Sequence, residues 1–251
     1  MNTGNNKQGG FYQFPLCLLA QPIPFQELLD QCFDWGVVHY LDRTLGATWR
    51  NRTAKKREEA VSHARAVMNF RGDSASGIIS RFTTVQRFTD EWQRVHHQKI
   101  AFVRLRAADL YFEVRDRQMI SERDWRVLAG VYSALGDKPM VTIGWQRIQC
   151  RAAGWLTRPK SGAMPCGPLY PRGQIERSLR KLLDRGYLFG ATYRHGERWW
   201  SNRLNHQELR REIEQRKLRA AKAALRRKVD ILGDCRIGLA LAKEGVLLKS
   251  V

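Results

Sequence analysis

The chain has 251 residues, 43% of them hydrophobic, with 44 Lys or Arg against 24 Asp or Glu and a formal net charge of +20. That apolar content excludes a disordered or fibrous class and suffices for one large domain or two small ones, while a pI near 10.4 points to an anionic polymer as partner. Five cysteines, Cys17, Cys32, Cys150, Cys166 and Cys235, are odd in number and lack metal-ligand spacing, so they read as buried thiols of a cytoplasmic protein.

After a polar leader, Phe11 to Leu19 fits a buried strand or an extended segment broken by Pro15. Leu16 to Ala20 is too short to span a bilayer and has no clear basic region before it, so no membrane or export segment is read. Phe25 to Tyr40 looks helical. A basic stretch with Arg50, Arg52, Lys55, Lys56 and Arg57 precedes a further helix through Phe70; a solvated helix start is the favoured reading and a phosphate contact the lesser one. Gly72 to Gly77 superficially resembles a nucleophile elbow but has Ser76 where its last glycine belongs, and reads as a flexible loop. Ile78, Phe82, Val85, Phe88, Trp92 and Val95 form an amphipathic stripe expected in the core.

Lys99 to Arg115 fits neither a helical nor a strand period cleanly. If it is helical, Asp109 and Glu113 share a face and, with Asp116 nearby, could hold a divalent metal as in a nuclease; pairing with Arg104, Arg106 or Arg117 is the more ordinary outcome. His63, His96 and His97 lack ligand spacing. No P-loop or zinc-protease motif is present, so no cofactor and no catalytic residue are assigned.

From Ser121 onward the pattern is richer. Ser121 with Asp124 has the form of a capping box, and Trp125, Leu128, Ala129, Tyr132 and Leu135 make a helical stripe ended by Gly136. Met140 to Thr142 could add a short strand, and Thr142 could cap a helix carrying Trp145, Ile148 and Ala152 that stops at Gly154. Ile175, Leu179, Leu182 and Leu183 then give one apolar face, opposite a stripe of Gln174, Arg177, Ser178, Lys181 and Arg185, with Gly186 as a left-handed stop. Tyr187 to Tyr193 and Arg198 to Asn202 read as two strands around a turn at residues 194–197.

In this order of elements, residues 121–202 resemble the winged helix-turn-helix superfamily of DNA-binding domains, most closely from Gln174 to Leu188. The resemblance implies that the Gln174 stripe enters a major groove, while Arg194 and Arg198 at the wing, together with Arg172 and Arg203, contact the backbone or minor groove. The loop Leu156 to Tyr170 departs from the pattern by being longer than the usual turn before a recognition helix. A hairpin that simply packs Trp199 or Trp200 on the core is the competing reading.

His206 to Lys228 carries nine Lys or Arg against three Asp or Glu. Its apolar positions shift phase between Ile213 and Leu218, suggesting a bend, and Gly233 is expected to interrupt it before an apolar tail from Ile237 to Leu248. The expected fold is mainly α with a small β-hairpin: a mostly helical N-terminal region (1–117), a winged helix-turn-helix domain (118–204), and a basic C-terminal helix with its tail (205–251). The expected function is sequence-selective binding of double-stranded DNA, as a transcriptional regulator or a plasmid, phage or mobile-element protein such as a replication initiator. Alternatives are a nucleic-acid-binding subunit of a nucleoprotein or defence complex and a metal-dependent nuclease. A homodimer or protein partner through the C-terminal helix or N-terminal region stays open.

Overall fold

The computed structural model describes residues 11–68, 74–97, 99–106, 120–157, 167–192 and 197–243. It is mainly helical with two small antiparallel sheets, and it divides into two compact units, Met1–Leu204 and Asn205–Val251.

In the first unit, β1 (Phe11–Pro15) pairs antiparallel with β2 (Phe102–Arg106), Phe14 lying opposite Val103. Pro15 ends the strand, and Leu16–Ala20 continues as a buried 3-10 turn. Both strand and turn thus lie in the segment from Phe11 to Leu19. Helix α1 (Phe25–Leu45) is buried nearly all round over Gln31 to Val38, as expected of a helix without a polar face. Its buried Asp34 takes a hydrogen bond from Arg81, which neutralises the carboxylate inside the core.

Helices α2 (Ala54–Met68) and α3 (Ala75–His96) follow. Ser74 caps α3 by accepting from the Gly77 amide at 3.3 Å, so Ala75 to Gly77 belong to a helix and not to the expected flexible loop. Ile78, Phe82, Val85 and Trp92 are buried as the stripe requires, whereas Val95, near the C-terminal end of α3, is 53% exposed.

Helix α4 (Glu122–Leu135) is the hub. Residues Asp124 to Tyr132 are all buried, and the fully buried Trp125 lies against Phe14 and Phe33 at ring-centroid distances of 6.0 and 5.9 Å. Ser121 caps it by accepting from the Asp124 amide, and Gly136 ends it, as the sequence indicates. Then come β3 (Val141–Thr142), α5 (Trp145–Ala152), α6 (Arg172–Asp184), β4 (Phe189–Thr192) and β5 (Arg198–Ser201). The second sheet has the order β3-β5-β4. Thr142 does not cap α5: its backbone is in the sheet opposite Trp199, and Gly144 occupies the N-cap.

The second unit contains α7 (His206–Lys243), a continuous helix. Gly233 does not interrupt it. A lone glycine costs a helix interior only about 1 kcal/mol, too little to stop one that good helix formers extend on both sides.

Gly154 follows α5 at φ +89°, and a Cβ there would stand 2.6 Å from the Ala20 amide nitrogen. Gly186 also has positive φ, at +75°, but open space around it. Gly154→Ala should therefore destabilise clearly more than Gly186→Ala, whose cost is only the left-handed conformation, about 1 kcal/mol. Urea unfolding followed by tryptophan emission measures both; equal losses would mean that the contact with Ala20 yields freely.

Candidate nucleic-acid interface

Pro171 fixes the entry to α6, its carbonyl accepting from the Gln174 and Ile175 amides at 2.9 and 3.1 Å. Proline suits this place because its restricted φ is set before the helix begins. Ahead of it, Gln149 on α5 donates to the Tyr170 carbonyl at 2.7 Å, anchoring the segment that delivers α6. Ile175, Leu179 and Leu182 are buried, which turns the opposite face of α6 outward. The helix closes with the paired backbone bonds Tyr187 N–H to Leu182 and Gly186 N–H to Leu183, at 2.9 and 3.0 Å. Tyr132 of α4 donates its hydroxyl to the Tyr187 carbonyl at 2.7 Å, fastening that exit.

Of the residues expected to bind nucleic acid, Arg172, Arg177, Lys181 and Arg185 are exposed on α6, with Gln174 half-buried beside them. Ser178 is a correction. It is fully buried, donates to Asp124 and accepts from Arg123 Nε at 3.0 Å, so it joins α6 to α4 and offers nothing to a groove. Asp124 is itself buried, and Lys181 Nζ lies 3.9 Å from its carboxylate. Arg203 is half-buried and donates to the Asp137 carbonyl between α4 and β3. Arg194 lies outside the described residues, as do Asp109, Glu113 and Asp116.

Arg198 on β5 is brought to α6. Its guanidinium is 3.6 Å from Glu176, which also accepts from Arg172 at 2.9 Å. The hydrogen bond from Arg172 holds the Glu176 carboxyl below the usual carboxylate range, helped by the charges of Arg172, Arg198 and Arg180. Burial opposes this shift without reversing it. Arg172, Glu176 and Arg198 line a cleft of about 570 Å³ between the start of α5, α6 and β5, with Trp145, Arg147 and Trp200 on its walls. The Arg172 guanidinium lies 6.0 Å from the centre of the Trp145 ring.

Arg147 and Arg180 were not singled out from the sequence. Arg180 is exposed on α6 beside the expected stripe, and Arg147 is exposed on the first turn of α5, whose N-cap Gly144 supplies no side-chain acceptor. The signal for Arg180 was available in its position three residues after Arg177. Nothing in the local sequence tells that Arg147 adjoins β5.

Burial pushes the Cys17 thiol up to about 12 and raises Cys32 well above its ordinary value, and Cys150 is also buried. His96 packs against the rings of Trp92 and Trp155 at 4.2 and 4.7 Å. Among the described residues no three His, Cys, Asp or Glu side chains group to hold a metal ion. No helix among them is long and apolar enough to cross a membrane.

Asp124→Ala should cost about 1 to 3 kcal/mol of stability, because it leaves the buried Ser178 hydroxyl without its acceptor. Arg177→Ala, on the exposed face, should change stability by no more than about 0.5 kcal/mol. Chemical denaturation compares the two, and the reverse ranking would mean that the faces of α6 are misassigned. No protein-family model, curated protein or solved structure matches this chain.

Proposed function

We propose that the chain binds double-stranded DNA through a winged helix running from α4 to β5, with α6 as the reading helix and the β4–β5 hairpin as its wing. The observation that carries this reading is the outward face of α6. Arg172, Arg177, Arg180, Lys181 and Arg185 are all exposed along one helix, and Arg198 is brought to its flank by β5. The order helix, strand, helix, helix, strand, strand supports it, as does a three-stranded sheet whose central member is its last strand.

Guanidinium groups suit this role because their fixed fork matches phosphate oxygens and the O6/N7 edge of guanine. The amides opening α5 add donors for a backbone phosphate beside Arg147. Trp199 and Trp200 are both buried, so the hairpin is fastened to the core from its second strand while Arg198 stays exposed. A rigid base and a solvated basic edge are what a backbone-contacting wing requires. On this reading the protein acts as a sequence-selective regulator or as the DNA-contacting protein of a plasmid, phage or mobile element.

The test is selection of bound fragments from a random duplex library, run beside the same selection on RNA. A defined duplex consensus is expected, and its affinity should fall by about 10³ to 10⁵ between roughly 50 and 200 mM salt if six to ten phosphates are contacted. Arg177→Ala and Lys181→Ala should each weaken binding, by about 1 to 3 kcal/mol with loss of preference at one position where a base edge is read. Enrichment of RNA alone, salt-independent affinity, or parental binding by both variants would overturn the proposal.

A further inference from the structure

Helix α7 carries leucine at every seventh position, Leu218, Leu225, Leu232 and Leu239, all within His206–Lys243. The positions three residues after each are Ala221, Lys228, Cys235 and Ala242. Together they form a seam with the 3.5-residue repeat of a helical coiled coil, sustained from 218 to 242, about 36 Å of helix. Leu209 and Ile213, nearer the start of α7, are buried. From Glu214 to Arg227, by contrast, every side chain except the partly covered Lys217 is exposed, including Leu218 at 56% and Leu225 at 63%. A long helix with leucines left in water gains its stability from a partner.

We infer that the partner is a second copy of the same helix, paired antiparallel about an axis near residue 230. The sequence of the seam selects this arrangement. Aligned antiparallel, Leu218 is level with Ala242 of the other copy, Ala221 with Leu239, Leu225 with Cys235, and Lys228 with Leu232. Each leucine meets a small residue or an aliphatic lysine stem, so large and small alternate across the interface. Aligned parallel, leucine would meet leucine, which a parallel zipper accepts, but Lys228 would face Lys228, and that contact disfavours it.

Charge makes the same choice. Residues 206–228 carry nine Lys or Arg and three Asp or Glu, a net +6, whereas 229–243 hold Asp230, Asp234, Arg236 and Lys243 and are neutral. Parallel pairing sets +6 beside +6. Antiparallel pairing sets the basic half of each helix beside the neutral half of the other, and the contact closes as a self-complementary two-fold interface. It requires no nucleic acid.

Light scattering of the full chain at tens of micromolar, free of nucleic acid, should give twice the 29.1 kDa chain mass. Leu225→Asp combined with Leu232→Asp should halve that mass while tryptophan emission stays unchanged, since all eight tryptophans precede Asn205. A monomeric parent chain, or a double variant that keeps the dimer mass, overturns the inference. Direction is read by oxidation in a Cys166→Ser background. Leu225→Cys should cross-link two chains through Cys235, and adding Cys235→Ser should abolish the product; a cross-link that survives it means a parallel seam and refutes the antiparallel one.

Discussion

Two opposite charges buried two residues apart on α4, Asp124 and Arg126, fix how the rest of the first unit is assembled. Arg126 is 2% exposed and donates to the Leu19 carbonyl of the N-terminal 3-10 turn and to Glu122. Asp124 is 4% exposed and takes the Ser178 hydroxyl of α6, with Arg123 and Lys181 nearby. An ion inside a core is costly unless it is paired and hydrogen-bonded, so each is tolerable in few arrangements of its neighbours. Apolar packing on α4 alone, where Trp125, Leu128 and Leu135 are buried, would allow neighbouring elements to slide; the charged pair sets a register.

That register determines what α6 offers to solvent. With Ser178 held on Asp124, a rotation of α6 that brought Ser178 outward would leave a carboxylate buried without its donor. The exposed arginines therefore owe their direction to a bond on the far side of the helix. Lys181 links the two faces, its side chain a little over half exposed yet within ion-pair distance of Asp124. At the cleft, Glu176 between Arg172 and Arg198 ties the hairpin to the start of α6 while cancelling one of their two charges. Arg147, across the cleft, adds another positive charge.

Much of this was legible in the sequence because caps and periodicity agreed. Ser121, Gly136 and Gly186 mark helix ends where the backbone adopts capping or left-handed geometry, and the apolar spacings of α3 and α6 fall on the buried faces. Ser178 was misread because it lies about 60° around the helix from Ile175, at the edge of the apolar arc. A small polar residue there goes inward or outward according to what it meets, and Asp124, 54 residues earlier, decides. Thr142 was misread for a related reason: a threonine three residues ahead of a helix caps it only if no strand claims its backbone, and pairing with Trp199 does so. Long-range pairings of this kind have no local signature.

Ion pairs take up part of the charge within the first unit and leave the chain's net +20 to its other residues. Several acidic residues of the first unit pair across elements: Asp34 with Arg81, Asp42 with Arg50, Asp124 with Lys181, and Asp137, itself largely exposed, with Arg104. Each pair cancels one positive charge with one negative and leaves the chain's excess of +20 unchanged. On the outer face of α6 the acidic residues are Glu176, tied to two arginines, and Asp184 in its last turn, set against five basic ones. The net positive charge of that face follows from this count, and it lies on a helix that the buried Asp124 orients.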